Sequence, residues 1–243
     1  VYKRQGKSNH DEEGRTLMDY NRAGVPLIEI VTKPDINSPD EAREFVETLA
    51  STLRFLEVSD CIMAQGSMRV DVNINMVDND TGNKTNIAEI KNMNSIKAIE
   101  QALAYEEERQ RKLLENGEFG IKETRRWDDE KLETIHMRNK EVGNDYRFSV
   151  DGDIPEIYLN EDYIKDIEKN LPELPTQKQS RYIKEYEMTE YDANLLANDR
   201  ELAELFEKTN ELVNDPKISA NWILTELSRR LNETEQSPST MNL

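Results

Sequence analysis

The chain has 243 residues, and its 32 lysines and arginines against 50 aspartates and glutamates give a formal net charge of −18. Nucleic-acid backbones are bound mainly by lysine and arginine, so this surplus of acid argues against a general nucleic-acid binder. No apolar stretch approaches the roughly 18 residues that span a bilayer, and a single cysteine, Cys61, fits a reducing compartment, so we expect a cytoplasmic protein with no membrane contact.

The first strong pattern is an apolar, β-rich run at residues 25–31, which predicts a strand with Glu29 inside it. An ionised carboxylate in apolar surroundings needs a cation, an arginine or a metal ion. A structural ion pair, or an edge strand that exposes Glu29 to water, is the alternative. Next, Ser38, Pro39 and Glu41 form a capping box that predicts the start of a core-packing helix.

A hairpin is predicted after this helix. Residues 68–76 alternate strictly between apolar and polar side chains, which is typical of a strand with one face in the core. A turn-rich stretch at 78–83 leads into a second predicted strand at 85–91. We therefore expect an antiparallel pair centred near Asp80.

This hairpin register brings charged side chains together on the polar face. It places Asp71 opposite Glu89 and Arg69 opposite Lys91. Two facing carboxylates repel each other unless a divalent cation lies between them, and Arg69, Asn73 and Lys91 offer donors to an anionic ligand. The alternative is that the face is simply hydrated, as on most antiparallel sheets.

The following segments continue an alternation of helix and strand. Ser95 predicts the cap of a helix that runs to about residue 116, with the charged residues 106–112 as its solvated side. Residues 122–127 and 134–138 predict two strands joined by a polar turn. These patterns predict an α+β fold built on an antiparallel sheet.

Towards its end the chain becomes helical. Residues 145–148 predict one more short strand, after which the prolines of 171–175 mark a boundary and an amphipathic helical pattern extends over 177–231. The length fits one large domain or one domain with a smaller companion. We therefore expect a first domain at 1–172 and the start of a helical domain at 173–243.

Basic residues recur at strand positions: Arg125, Arg126, Arg138, Lys140 and Arg147. The planar guanidinium group is suited to binding phosphate through two donors, although in so highly charged a chain these residues also fit an ordinary surface. The sequence contains no glycine-rich phosphate loop of the Walker or dinucleotide type. Any nucleotide site must therefore be built from strands and side chains.

At this point the motifs resemble a known family. Residues 19–31 read DYNRAGVPLIEIV, which resembles the D-x-N-R-x-G-x-P-L-I-E-I-V signature of the GatB family, the B subunits of the aspartyl/glutamyl-tRNA(Asn/Gln) amidotransferases. Further segments agree in order and spacing: QGSMRVDVN at 65–73, AEIKNMNS at 88–95, ETRRWD at 123–128, MRNKE at 137–141 with DYRF at 145–148, LPELP at 171–175 and EYDA at 190–193.

The resemblance implies an activity, a fold and partners. Such subunits use Mg-ATP to phosphorylate the side-chain carboxylate of Glu-tRNA(Gln) or Asp-tRNA(Asn), and ammonia then displaces the phosphate to give Gln-tRNA(Gln) or Asn-tRNA(Asn). The amidase subunit GatA makes the ammonia, which arrives through a channel, and GatC completes the heterotrimer. The implied fold is that of glutamine synthetase and the guanido kinases. Two other hypotheses stay open: a non-catalytic tRNA-docking or scaffold subunit of the same complex, and a generic acidic α+β domain.

Carried over position by position, the resemblance also implies a site in the domain at 1–172. The metal ligands would be Glu29, Asp71 and Glu89, and the nucleotide contacts would include Asn73 and Ser67. Phosphate or acyl-phosphate would be stabilised by the basic residues of the matching motifs: Arg69, Lys91, Arg125, Arg126, Arg138 and Arg147.

The same resemblance implies that the sequence is a fragment. The family's Glu-x-His metal motif and its His-x-Glu-Glu-Asp stretch would lie before Gly6. The family's C-terminal tail domain would follow the helical region. We therefore expect the 243-residue chain to be inactive by itself.

Overall fold

The computed structural model describes residues 2–3, 7–10, 15–21, 23–139, 152, 155–234 and 236–240. These belong to two compact units, Val1–Asn37 and Ser38–Leu243. The strand predicted at 145–148 lies outside the described residues. Within the described part of the chain, no helix is both long and apolar enough to cross a membrane.

The first unit contains two short antiparallel strand pairs. Strand β1 (Tyr2–Lys3) pairs with β4 (Pro26–Leu27), and β2 (Lys7–His10) pairs with β3 (Thr16–Asp19). The strand predicted at 25–31 is therefore much shorter than expected, and the residues after Leu27 are exposed. An apolar β-rich run forms a strand only where a neighbouring strand accepts its backbone hydrogen bonds.

The second unit is built around a four-stranded sheet in the order β5-β6-β7-β8. Its strands are β5 (Val70–Ile74), β6 (Ala88–Met93), β7 (Glu123–Asp128) and β8 (Glu133–Asn139). The two predicted hairpins, β5–β6 and β7–β8, are antiparallel, whereas β6 and β7 run parallel. The α+β class is confirmed, and the sheet is mixed rather than purely antiparallel because a long helix connects β6 to β7 and returns the chain to the same end.

Two serine-capped helices precede and connect these strands, as predicted. Helix α1 (Pro39–Phe55) begins at Ser38, whose Oγ accepts the Glu41 backbone N–H at 3.1 Å. Helix α2 (Ile96–Glu115) joins β6 to β7 and begins at Ser95, whose Oγ accepts the N–H of Ala98, also at 3.1 Å. In both cases the serine satisfies a backbone donor that has no acceptor within the helix.

The main core lies between the sheet and these two helices. It contains the buried side chains of Val46 on α1, Ile99 and Leu103 on α2, Ile90 on β6 and Trp127 on β7. Apolar side chains of β5 pack against the same cluster. One face of the sheet is therefore covered by helices, and we call it the back face; the opposite face is the front face.

Most of the remaining described chain is helical, as predicted for 177–231. The helices are α3 (Glu161–Lys169), which was not predicted, α4 (Pro175–Tyr186), α5 (Glu190–Asn198), α6 (Arg200–Val213), α7 (Pro216–Trp222) and α8 (Ser228–Thr234). A π-helical turn, Ile223–Leu227, joins the last two. Single turns of 3-10 helix occur at Met63–Gln65 and Pro238–Thr240. The domain boundary at 172 stays a prediction.

A second core holds helices α4 to α7 together. Tyr182 and Phe206 are fully buried, and their rings meet edge to face with centroids 5.1 Å apart. The buried cluster also includes Leu196 of α5 and Ala220 of α7. Helix α5 also contacts α1, because the Ser51 hydroxyl donates to the Asn198 carbonyl at 2.8 Å.

An ion cluster at the edge of this second core links α6 to α4 and to the residues just before α4. We call it the α4–α6 ion cluster: Glu173, Lys178, Arg181, Tyr182 and Glu207. Arg181 donates to both Glu173 carboxylate oxygens, at 2.9 and 2.7 Å. Glu207 accepts from Lys178 at 2.7 Å and from the Tyr182 hydroxyl at 2.9 Å, and it also accepts from Arg181.

These contacts lower the pKa of both carboxyl groups. For Glu173 the Arg181 hydrogen bonds are the main cause. For Glu207 burial by itself would raise the pKa, but the donors of Lys178, Arg181 and Tyr182 outweigh it. A carboxyl group with a lowered folded-state pKa stabilises the fold above its unfolded pKa of about 4.3, and this stabilisation is lost as the pH falls through the folded-state pKa.

We expect Arg181→Met to lower the free energy of unfolding at pH 7 by about 1–3 kcal/mol, because hydrogen bonds to charged groups are lost. The variant should also lose less stability than the wild type as the pH falls below about 4.3. Urea denaturation of the chain at pH 7, 5, 4 and 3 measures both effects. Arg229→Met is the control, since Arg229 makes comparable ion pairs on an exposed helix surface. Equal losses in the two variants would contradict the prediction.

Candidate functional site

The front face of the sheet brings together several of the residues singled out from the sequence. The strand register places side chains from all four strands in one row: Asn73, Glu89, Thr124 and Arg138. In the next row Lys91 of β6 lies beside Arg126 of β7. Residues directly opposite each other in a sheet project to the same side. Together with Asp71, these seven residues form the front-face cluster.

Lys91 is the centre of this cluster. Its Nζ lies 2.7 Å from Asp71 Oδ2 and 3.3 Å from Glu89 Oε1. Burial alone would lower the pKa of Lys91, but the contacts with Asp71 and Glu89 outweigh it and raise the pKa. The ammonium group therefore stays charged. It compensates two carboxylates that would otherwise repel each other.

Glu89 is held from a second side. Its Oε2 accepts the Thr124 hydroxyl at 3.1 Å, across the parallel pair β6–β7. Thr124 itself is buried, so its hydroxyl has a fixed position. Thr124 was not among the residues predicted from the sequence. Its position two residues before Arg126 in a predicted strand is the sequence signal, because alternate residues of a strand lie on the same face.

The predicted register of the hairpin was wrong. Asn73, not Asp71, lies opposite Glu89, and Arg69 lies before β5 rather than opposite Lys91. The register also shifts between Val70 and Val72, where Asn92 of β6 has a positive φ of 66°. A bulge of this kind inserts an extra residue into one strand.

The shift has a local origin in the turn. Asp78 accepts the backbone N–H groups of Asp80 and Thr81, at 2.9 and 3.3 Å, and closes a turn that extends to Asn83. The pairing of Ile74 with Ala88 therefore centres the hairpin one residue beyond the predicted position. A displacement of the register by two residues leaves each side chain on its predicted face, so Asp71 and Lys91 still meet.

Arg125 does not belong to the front face, contrary to the expectation for a phosphate-binding residue. It lies on the back face with only 12% of its side chain exposed. Its Nε donates to the Thr134 hydroxyl at 2.8 Å, and its Nη2 donates to the Thr134 carbonyl at 2.7 Å. Successive residues of a strand point to opposite faces, so Arg125 and Arg126 cannot serve the same surface.

Arg125 is part of a buried network beneath the sheet, which we call the back-face cluster: Glu106, Arg109, Gln110, Glu123, Arg125 and Thr134. Glu106 of α2 is its centre and is fully buried. Arg109 donates to its two carboxylate oxygens at 2.9 and 2.8 Å, and Arg125 Nε lies 3.1 Å from Oε1. The Thr134 hydroxyl also donates to Glu106.

The prediction that Glu106 lies on a solvated side of α2 was wrong. Burial alone would raise the pKa of this carboxyl group, but hydrogen bonds from Arg109 and Thr134 outweigh burial and lower it. A usable signal was present in the spacing. Glu106 and Gln110 continue the helical stripe of Ile99 and Leu103, which faces the core.

The other predicted site residues lie elsewhere. Ser67 is in the loop before β5, where its hydroxyl accepts the Ile62 N–H at 2.9 Å and donates to Asp60, so it stabilises that loop. This hydrogen bond is the main reason that the pKa of Asp60 is lowered. Arg69 is exposed just before β5, and Glu29 is exposed in the first unit, outside any described strand. Arg147 lies outside the described residues.

The front-face cluster contains oxygen atoms whose chemistry suits a magnesium ion. Asp71 and Glu89 offer carboxylate oxygens and Asn73 an amide oxygen, the hard ligands that Mg²⁺ prefers. Within the described residues there is no group of three or more His, Cys, Asp or Glu side chains that could hold a metal ion. Mg²⁺ commonly binds through one or two carboxylates plus substrate phosphates, so two carboxylates are sufficient for such a site.

The fold and the site define an α+β domain whose mixed sheet is covered by helices on one side and presents a cluster of opposite charges on the other. The family of the GatB/GatE catalytic domain matches residues 3–165. Because this match covers well over half of the chain, the chain belongs to that family. The resemblance inferred from the motifs is confirmed.

Comparison with individual relatives indicates the same family. The chain is 54% identical over 238 residues to the B subunit of the aspartyl/glutamyl-tRNA(Asn/Gln) amidotransferase of Finegoldia magna, covering 98% of this chain and 50% of the relative. It is 48% identical to the B subunit of Thermotoga petrophila and 47% identical to that of Clostridium tetani, in each case over 94% of this chain and 48% of the relative. The chain thus spans about half the length of these relatives.

Arg125 and Arg126 lie on opposite faces of the sheet, and this difference generates a prediction for stability. We expect Arg125→Met to lower the free energy of unfolding by about 3–5 kcal/mol, because it removes one of the two arginines that compensate the buried carboxylates of Glu106 and Glu123. Arg126→Met removes a guanidinium group from a side chain that is 42% exposed and should change stability by no more than about 0.5 kcal/mol. Urea denaturation of the two variants at pH 7 measures the difference. Similar losses would show that Arg125 is not part of a buried network.

Proposed function

We propose that the chain carries part of the ATP-dependent phosphorylation site of a tRNA-dependent amidotransferase. In this proposal the whole subunit phosphorylates the side-chain carboxylate of Glu-tRNA(Gln) or Asp-tRNA(Asn), and ammonia then displaces the phosphate to form Gln-tRNA(Gln) or Asn-tRNA(Asn). Membership of the GatB/GatE family supports the reaction class. The observation that carries the assignment to this surface is the front-face cluster, in which Lys91 joins the carboxylates of Asp71 and Glu89.

The residues of the front-face cluster have distinct proposed roles. Asp71 and Glu89 hold Mg²⁺, with Asn73 beside them and the Thr124 hydroxyl orienting Glu89. When bound, Mg²⁺ supplies positive charge to the phosphate oxygens of ATP. Lys91, Arg126 and Arg138 provide donors for the transferred phosphoryl group and for the acyl phosphate. Preorganised cationic donors of this kind stabilise the charge that develops during phosphoryl transfer.

Residues beyond this surface complete the proposal. Glu29 of the first unit is a further proposed metal ligand, and Arg69 and Arg147 are further proposed phosphate contacts. The buried position of Arg125 argues against a direct role in phosphate binding. Ser67 is better explained by its role in the loop before β5 than by nucleotide contact.

The proposed complex contains two more subunits. An amidase subunit, GatA, generates ammonia from glutamine and delivers it through a channel, and GatC completes a cytoplasmic heterotrimer. The net charge of −18 argues against non-specific binding to nucleic-acid backbones. It does not conflict with the binding of one aminoacylated tRNA end at a Mg-ATP site. There the divalent cation and the basic residues Lys91, Arg126 and Arg138 compensate the negative charge of the phosphates locally.

The proposal predicts a selective loss of one activity. In the whole subunit assembled with its partners, Asp71→Asn and Glu89→Gln should each lower tRNA-dependent amidation by about 10²-fold or more, since each removes a charged metal ligand. The glutaminase activity of the same complex should be retained, because it belongs to another subunit. Amidation of Glu-tRNA(Gln) and Asp-tRNA(Asn), measured by separation of the esterified amino acids, provides the readout.

Glu108→Gln is the matched control, because it neutralises an exposed acid on α2 that lies away from the front face. It should leave both activities unchanged. If Asp71→Asn and Glu89→Gln also left amidation unchanged, the subunit would be a tRNA-docking scaffold and the proposed site would be wrong.

A further inference from the structure

The back-face cluster is placed where it can act on the front face. Besides Arg109 and Arg125, Glu106 accepts from the Gln110 amide at 3.1 Å, and that amide also donates to the Ile74 carbonyl at the end of β5. Glu123 of β7 accepts from Arg125 at 3.0 Å and lies 3.2 Å from Arg109. The network therefore joins α2 to β5, β7 and β8.

Burying so many charges is not an efficient way to stabilise a protein. Removing two ions from water costs several kcal/mol for each ion, and well-packed apolar side chains often give equal or greater stability. What a fully hydrogen-bonded network provides is a defined geometry, because every donor and acceptor has a fixed direction. Glu106 meets this condition, since both of its oxygens accept hydrogen bonds and it is fully buried.

The side chains of β7 alternate between the two faces of the sheet, and this alternation connects the back-face cluster with the front-face cluster. Glu123 and Arg125 belong to the back-face cluster, and the residues next to them along the strand, Thr124 and Arg126, belong to the front-face cluster. A displacement of β7 along or away from the sheet would move both sets together. Thr124 in turn donates to Glu89, so the position of β7 affects the orientation of a proposed metal ligand.

We propose that Glu106 is a positioning residue for phosphoryl transfer: by holding Arg125 and Thr134 from below, it fixes β7 so that Thr124 orients Glu89 and Arg126 faces the ligand. This inference rests on the proposed function of the front face. It adds a residue that touches neither metal nor nucleotide and that lies on the opposite side of the sheet. A purely structural role for Glu106 would lower stability without a specific effect on ligand binding.

The test compares variants in the whole subunit assembled with its partners. Glu106→Gln keeps the shape of the side chain and removes its charge, whereas Thr134→Val removes only one hydroxyl group from the same network. Glu207→Gln is the matched control, because it removes a similarly hydrogen-bonded carboxylate from the α4–α6 ion cluster. Thermal unfolding shows whether the losses of stability are comparable.

Two readouts separate positioning from stability. The first is the dissociation constant of Mg²⁺ with a non-hydrolysable ATP analogue, measured by calorimetry below the unfolding temperature of each variant. The second is the division of any effect on amidation between KM for ATP and kcat. Glu106→Gln and Thr134→Val should weaken binding of the analogue by roughly ten-fold, as found when partners of metal ligands are removed, and should raise KM for ATP. Glu207→Gln should change neither value by more than about two-fold, the size expected of a change far from the site.

The outcomes are decisive for each hypothesis. If Glu106→Gln does not fold, Thr134→Val alone decides, since it leaves the ion pairs in place. If the back-face variants bind the analogue as well as Glu207→Gln does, Glu106 is not a positioning residue. Glu89→Gln is measured in parallel: if it binds the analogue normally, the proposed function of the front face fails, and this result is distinguishable from failure of the positioning role.

Discussion

The second unit depends on the ion pairs and hydrogen bonds of one buried carboxylate, that of Glu106. It lies at zero exposure between a helix and a sheet, where an ionised group is stable only with nearby cations and a complete set of hydrogen bonds. Two arginines from different elements supply those cations, and Thr134 supplies a hydroxyl from β8. The requirement for these partners fixes how α2 lies on the sheet and which face of β7 points inward.

From this constraint the composition of the front face follows. Because Glu123 and Arg125 are used on the back face, Thr124 and Arg126 are left for the front face. There they join Asp71, Glu89 and Lys91 from the β5–β6 pair. The sheet therefore carries two charge clusters, one buried on the back face and the other partly exposed on the front face. Both clusters contain acidic, basic, amide and hydroxyl side chains, and they differ in access to water.

Features that depend on a few neighbouring residues were predictable from the sequence, and features that depend on distant partners were not. Ser38 and Ser95 were correctly identified as helix caps, since a cap depends on residues within one turn. The polar face of β5 and β6 followed from alternation alone. The register did not, because the Asp78 turn and the bulge at Asn92 each shift the pairing. The strand predicted at 25–31 was too long because its length depends on a partner strand that the local pattern does not specify.

By itself, the sequence determined the α+β class, the capped helices, the faces of the central strands and, through its motifs, the family. These properties depend on spacing over a few residues, or on long motifs that are read without knowledge of contacts. Only the tertiary structure decided which charges are buried. Glu106 and Arg125 resemble surface residues in the sequence, and they become a buried pair because α2 packs on the back face of the sheet and brings Glu106 to Arg125. The side of the sheet on which each arginine lies, and hence its role, is a consequence of that packing.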